Sequence, residues 1–349
     1  MVIRTGVSTT GKGNADMQAD SMLRVDEERT VRQLESYVHE VTSSNGARGV
    51  LMGLSGGVDS ALLATVIARA LGTKAVHVLF LGDRDSDKDS MHKARLVADW
   101  LGLTLESQDI SDEMRKRGVY ASPIVRVMSL SGLANRFLCR VYQLMYRETC
   151  FMSTLREGRG PRQAGGKRLY DLTVGKVETA FNARHMYRRE VIESRARIDN
   201  LLPLGAANRT EFLTGWFVKG GIDDLPLQPL MGLYKTQVRQ LASYLGLPAE
   251  ITRQRPSPDM MRGLTDEGAI GLSYRTLDII LDGVESGLPD EKLLARGLTR
   301  RQIALVREVN RLSSWKRGTN HTAFPVDGGA GGDLRVRRSP NPSLGQIGS

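Results

Sequence analysis

The sequence predicts an α/β fold: a parallel sheet flanked by helices on both faces. Two observations carry this. Short apolar segments at 49–54 (GVLMGL), 75–81 (AVHVLFL) and 103–108 (LTLESQ) read as strands. Between them lie two helical patterns, one with Leu62, Leu63, Val66, Ile67, Ala70 and Leu71 at helical spacing after Ser60, the other amphipathic over 87–102. Strand, helix, strand, helix, strand at these lengths means a parallel sheet covered by helices.

The remaining elements follow in order. Residues 1–24 are polar and rich in Gly, Ser, Thr and Asn, which predicts a disordered leader. A charged helix is expected over 25–43. The segment 112–181 is harder to read. Residues 125–145 have helical character, and 157–168 (EGRGPRQAGGKR) has the composition of a mobile loop. Helical periodicity returns over 182–200, and 201–205 (LLPLG) suits a further strand. Residues 236–246 form a clear amphipathic helix, ended by Gly246 and Pro248. Two more helical patterns lie within 288–316, and 319–349 reads as an unpacked tail. The expected organisation is therefore one domain over 25–318, with a basic insertion inside 112–181.

The composition, 40% hydrophobic and 25% charged over 349 residues, is ordinary for a globular chain. No apolar run approaches the ~20 residues that cross a bilayer, and the N-terminus lacks the apolar core of a secretion signal. A cytoplasmic location with no membrane partner follows as the expectation. Two cysteines, Cys139 and Cys150, make no disulfide framework and lack a metal-binding C-x-x-C spacing. The formal charge of +10 suggests anionic ligands. Between 136 and 168 eight basic residues face only Glu148 and Glu157. A solvated basic face explains them more simply than nucleic-acid binding, which lacks an aromatic-rich reading pattern here.

The strongest chemical signal is Leu54-Ser55-Gly56-Gly57-Val58-Asp59-Ser60, between the first strand and its helix. A phosphate there meets unpaired backbone N–H donors and the positive end of the helix dipole. Gly56 and Gly57 permit close backbone approach, and Ser55 and Ser60 add hydroxyl donors. Asp59 among phosphates requires a cation between them, and Mg²⁺ is the hard, oxygen-preferring ion that fits. The segment is not a Walker loop, which needs G-x-x-x-x-G-K-[ST].

In this context S-G-G-x-D-S resembles the PP-loop of ATP pyrophosphatases, with Gly53 and Leu54 entering the loop. Further segments resemble the NAD synthetase branch of that superfamily. Gly205-Ala206-Ala207-Asn208-Arg209-Thr210-Glu211 is similar to G-T-x-N-x-S-E, and Phe217-Val218-Lys219-Gly220-Gly221 to F-T-K-Y-G. Leu233-Tyr234-Lys235-Thr236-Gln237-Val238 matches L-Y-K-T-Q-V. Pro256-Ser257-Pro258-Asp259, Thr265-Asp266-Glu267 and Gly271-Leu272-Ser273-Tyr274 look like the segments that follow, and Asn182-Ala183-Arg184 resembles N-x-x-A-R. Order and spacing hold over 48–110 and 182–317.

The resemblance implies an adenine nucleotide alpha hydrolase-like, Rossmann-like fold and an AMP-forming ligase. A substrate carboxylate, nicotinic acid adenine dinucleotide in the family, attacks the α-phosphorus of ATP and releases pyrophosphate. Ammonia or an amine then displaces AMP. Asp59 and Glu211 are expected to bind Mg²⁺, Lys235 to contact the phosphates, Ser257 to lie on a loop over ATP, and Arg184, Lys219 and Lys316 to face the substrate. A homodimer is implied as well. No glutaminase domain is visible, so ammonia is expected free or from a partner. Departures cluster on the acceptor side. The family's aspartates fall at Ile222 and Pro226, and its H-K-R becomes Trp315-Lys316-Arg317. Asp223 and Asp224 can restore one carboxylate by local slippage. On the nucleotide side, the family's Thr becomes Ala206. The alternative reading is a PP-loop sulfur-transfer or tRNA-modifying enzyme, in which Cys139 and Cys150 take part.

Overall fold

The computed structural model describes residues 23–130, 132–163, 165–255, 263, 265–318 and 321. Four strands, β1 (Val50–Gly53), β2 (Val76–Gly82), β3 (Leu105–Asp109) and β4 (Leu202–Leu204), form one sheet in the order β3-β2-β1-β4. All three pairings are parallel, as the alternating pattern predicts. Helices α1 (Glu27–Ser44), α2 (Val58–Leu71), α3 (Lys88–Leu101) and α4 (Ser111–Lys116) belong to the first half. The middle segment folds as α5 (Pro123–Leu130), α6 (Gly132–Tyr146), α7 (Cys150–Thr154), α8 (Lys167–Leu172) and the long α9 (Val174–Ile198). After β4 come α10 (Arg209–Thr214), α11 (Lys235–Tyr244), α12 (Ala249–Thr252) and α13 (Asp266–Ile270). The chain then forms α14 (Tyr274–Glu285), α15 (Asp290–Ala295) and α16 (Arg300–Leu312).

Side chains alternate across a strand, so each strand feeds two cores. Val50, Met52, Val78 and Leu204 join α1, α2, α3 and α11 in one. Leu51, Leu79 and Leu81 meet Met114 of α4, Val125 of α5 and Ile192 of α9 on the other. Helix α2 lies under α1 and α11, which is why Ala61 to Ala64 are all fully buried. A third core gathers α14 and α16 around Ile280 and Val306.

Several sequence expectations change in detail. Helix α2 begins at Val58, which puts Asp59 in its first turn. The single helix expected over 125–145 is two, because the Asn135 amide donates to the Met128 carbonyl at 2.6 Å and occupies an acceptor that a continuing helix needs. The loop expected over 157–168 gives way to α8 at Lys167. Leu23, in the expected leader, is buried against the third core. His321, in the expected tail, sits 2.7 Å from Asp224. The rest of both terminal segments lies outside the described residues.

Two helix starts converge on one buried carboxylate. Asp278 of α14 accepts from the Thr210 hydroxyl at 2.6 Å and from the Thr236 N–H at 2.9 Å. The same hydroxyl accepts from the Lys235 N–H at 2.8 Å. Asp278 therefore sets α10 and α11 relative to each other. Replacing it with Ala leaves a buried N–H and hydroxyl without their acceptor, so urea melts of Asp278→Ala should show a loss of about 2–4 kcal/mol. Burial pushes the Asp278 carboxyl up from 3.8 to about 6. The folded state then holds this proton more tightly than the unfolded chain, so the contribution is complete below about pH 4 and shrinks as pH rises through 6. The deficit of the Ala variant should be larger at pH 5 than at pH 7.5.

Candidate active site

The loop after β1 opens a cavity of about 740 Å³, within the usual range for a small-molecule site. Gly53, Leu54, Ser55, Gly57, Asp59 and Ser60 stand on its wall, as does Val58. Gly56 faces away. Its φ is +81°, and a Cβ there would meet the Ser90 carbonyl at 2.6 Å and the Ala94 nitrogen at 3.0 Å. Glycine is required at this point because the loop runs directly against the first turn of α3. Ser55 and Ser60 hold the turn: their hydroxyls lie 3.1 Å apart, Ser60 donates to the Gly57 carbonyl, and the Gly57 N–H donates to Ser55. No side chain caps α2 at Gly57. Its first-turn N–H groups and dipole are thus directed at the cavity.

Three charged side chains from three helix starts meet beside the loop. The Lys235 ammonium donates to Asp59 Oδ2 and lies 3.3 Å from Glu211 Oε1. Lys235 is 3% exposed, while the two carboxylates are 16–17% exposed at the cavity. Asn208 completes the group: its amide donates to Asp59 Oδ1 at 2.8 Å, and it forms a reciprocal capping box with Glu211. Burial alone would lower the Lys235 pKa, but the pull of Asp59, Glu211 and Asp266 raises it overall, and it stays charged. For Glu211, burial and repulsion from Asp59, Asp223 and Asp266 outweigh Lys235 and raise its carboxyl well above the ordinary range. Crowding among these carboxyl groups contributes to the rise, so a further cation beside Glu211 would favour its ionised form.

On the far side the cavity is closed by α6 and α7 and by the turn after α10. Lys316 lies on this wall and donates to the Gly215 and Phe217 carbonyls at 2.8 and 2.7 Å. Burial lowers its pKa to about 8, against the pull of Glu178, Asp223 and Asp224. The other two residues expected to face substrate do not line the cavity. Arg184, 4% exposed, is locked to Asp83 at 2.5 Å and Asp85 at 2.6 Å, so it pins α9 to the turn after β2. Lys219 is exposed and donates to the Trp315 carbonyl at 3.0 Å. Ser257 lies outside the described residues. Of the basic residues in 136–168, Arg136 and Arg140 border the cavity, and Arg156 is turned inward to Glu148 at 2.9 Å.

The acceptor-side departures acquire positions. Ile222 is on the wall, with its Cδ1 3.0 Å from where a Gly53 Cβ would stand. Asp223 is on the wall next to it, while Asp224 turns away to the Gly220 N–H and His321. Pro226 is exposed and off the wall. Sequence reasoning missed Gln228, which is fully buried, accepts from the Ala207 N–H at 2.9 Å and donates to the Leu225 carbonyl at 3.1 Å. It also missed His185, one residue beyond Arg184, which lines the cavity. No local signal marks either residue, because their roles depend on segments far away in the chain.

Comparison with known proteins fits this geometry. The family model for NAD synthase matches residues 30–128 and 173–320, leaving out the segment that forms α6, α7 and α8. The NH(3)-dependent NAD(+) synthetase of Thermotoga maritima is 34% identical over 260 residues, covering 74% of this chain and 88% of that protein. Two solved structures share the fold. The NMN synthetase from Francisella tularensis superposes with a TM-score of 0.60 at 20% identity, covering 86% of this chain and 99% of its own. The NH3-dependent NAD synthetase from Campylobacter jejuni gives 0.58 at 21% identity, covering 85% and 99%. Likeness of this extent, over the stretches that build the loop and its charge cluster, makes the chain a member of the NAD synthase family of AMP-forming carbon–nitrogen ligases.

Proposed function

We propose that this chain adenylates the carboxylate of nicotinic acid adenine dinucleotide, or of a related acid, and then converts it to an amide with ammonia or an amine. The observation that carries the reading is the Lys235 ammonium held between Asp59 and Glu211 beside the uncapped N-terminus of α2. In this reading the loop and the α2 N-terminus take the pyrophosphate end of ATP, and Lys235 offsets the charge that develops as pyrophosphate leaves. Protein groups serve mainly to position the reactants and stabilise charge, as in other phosphoryl-type transfers. Ser257 is assigned to the loop over ATP, and Lys316 to the acid. Arg184 acts in this reading by fixing α9, and Lys219 has no place on the wall.

Asp59 and Glu211 suit Mg²⁺. Both are oxygen donors, both face the cavity, and together they bring two carboxylates to a single ammonium. Among the described residues no set of three or more His, Cys, Asp or Glu side chains gathers to hold a metal. Mg²⁺ commonly takes one or two carboxylates, with substrate phosphates and water completing its shell. Bound there, Mg²⁺ supplies positive charge to the phosphate oxygens.

The direct test is release of pyrophosphate and AMP from ATP with nicotinic acid adenine dinucleotide and ammonium, with NAD as product. Nicotinic acid mononucleotide belongs in the same panel, since one structural relative carries the name NMN synthetase. Turnover should vanish on chelation of Mg²⁺ and fall at least ~100-fold in Asp59→Asn, by analogy with loss of a principal charge-stabilising group. ATP binding without pyrophosphate release from any acid would overturn the reading.

One observation favours sulfur chemistry instead. Cys139 and Cys150 both line the cavity, with their sulfurs 3.9 Å apart. Under the ligase reading, replacing both with Ser leaves the rate within about twofold, as for substitutions that touch no reacting group; abolished turnover would support the alternative.

A homodimer is part of the proposal. Leu133, Phe137 and Leu144 of α6 are each more than two-thirds exposed, with Leu172 of α8 at 61%. Exposed apolar side chains in this number mark an interaction face; the family resemblance implies a homodimer, and this face, in the stretch the family model leaves out, is where we place the second copy. Sedimentation should give a dimer for the wild type and a monomer for Phe137→Glu with Leu144→Glu.

A further inference from the structure

Beside the phosphate machinery, the acceptor wall carries a second pair of groups that the chemistry above does not use. His185 of α9 and Asp223, in the 3-10 turn Ile222–Asp224, meet with Nδ1 2.7 Å from Oδ2. The pair is assembled by packing. Phe181, one helical turn earlier, stacks on the imidazole with ring centroids 4.4 Å apart. At Gly221 a Cβ would come within 2.9 Å of the His185 Cβ, so only glycine lets the turn approach the helix this closely. His185 is 13% exposed, and both residues line the cavity. Among the described residues the imidazole Nε2 has no hydrogen-bond partner.

The surroundings suit proton transfer. Burial raises the Asp223 carboxyl, but His185, Arg188 and Lys316 pull it below the ordinary carboxylate range, so it stays ionised beside the ring. Nδ1 lies 2.7 Å from Asp223 Oδ2 without the alignment of a hydrogen bond. Such contacts commonly tighten when substrate binds. Asp223 adjoins Ile222, which packs toward Gly53 at the mouth of the PP-loop, and Asp223 is close enough to repel the Glu211 charge. The pair thus lies on the cavity wall on the side that the ligase reading gives to the acid. Lys316, the other basic group on this wall, is fixed by two carbonyls that it donates to.

We propose that His185, oriented by Asp223, is the base that deprotonates the nitrogen nucleophile in the second half-reaction. This rests on the ligase reading above. The nitrogen lone pair attacks the acyl carbon of the adenylate, the C–N bond forms, and the C–O bond to AMP breaks with AMP keeping the electron pair. From ammonium, the proton whose loss frees the lone pair goes to Nε2, and a second, lost from nitrogen once the C–N bond has formed, goes to water; hydroxylamine, already uncharged, loses only this second one. Asp223 favours the tautomer with its proton on Nδ1 and stabilises the imidazolium that results, the division of labour in other His–Asp pairs.

The test separates the two half-reactions in the full-length enzyme. ATP–pyrophosphate exchange in the presence of the acid reports adenylation, and amide formation is measured with either ammonium or hydroxylamine. Hydroxylamine is already uncharged at pH 7.5 and needs the base less. His185→Gln should leave exchange within about twofold and lower amide formation from ammonium about 100-fold or more, as for loss of a general base. Its hydroxamate rate should fall by less than about a tenth of that factor. Asp223→Asn should show the same selectivity with a smaller loss. Equal losses with both nucleophiles, no loss, collapse of exchange in both variants, or selective loss in Lys316→Met instead would overturn the proposal. Absence of exchange in the wild type would overturn the ligase reading itself, and the proposal with it.

Discussion

A lysine ammonium buried between two carboxylates is the constraint around which this molecule is arranged. Taking Lys235 out of water is costly unless Asp59 and Glu211 are held at hydrogen-bonding distance. Each comes from the first turn of a different helix, α2, α10 or α11, so three helix starts must meet. A second layer makes that possible: Asn208 braces Asp59, Thr210 and Asp278 lock α10 to α11, and Gln228 fastens the strand exit at Ala207. The parallel sheet contributes by placing the ends of β1 and β4 side by side, where the loops carrying Asp59 and Glu211 begin. Chemistry and fold therefore depend on the same hydrogen bonds.

The two ends of the cavity differ in how they are built. The end proposed for phosphate is made of short-range features: a glycine turn, two hydroxyls and a helix N-terminus. The end proposed for the acceptor is made of long-range contacts. Ile222 brings an apolar side chain to the mouth of the loop, and Asp223 places a carboxylate one residue further on. Helices α6 and α7, from the stretch that the family model passes over, add Cys139, Cys150 and Arg140 to the wall. Reshaping a pocket in this way while leaving the phosphate end alone is compatible with a fold that carries both as separate pieces.

What the sequence by itself determined is whatever depends on neighbouring residues. Strands β1 and β2 and helices α2, α3 and α11 were legible because burial imposes a period of 2 or 3.6 on adjacent positions. The loop was legible because its glycine, hydroxyl and carboxylate types fall in one short run. Asp59, Glu211 and Lys235 were legible as separate motifs, and the structure brings all three together. Tertiary structure decided which way each side chain points. Arg184 and His185 are neighbours on α9, yet the roughly 100° step between helical residues sends one into a buried ion pair with Asp83 and the other to the cavity. Asp278 looks like any charged helix residue until folding buries it under Thr210 and Thr236. Leu23 and His321 lie in segments of polar composition, and only partners far along the chain draw them inward, the third core for Leu23 and Asp224, 97 residues back, for His321. A buried polar group takes its role from whatever satisfies it, and in this chain those partners come from distant segments.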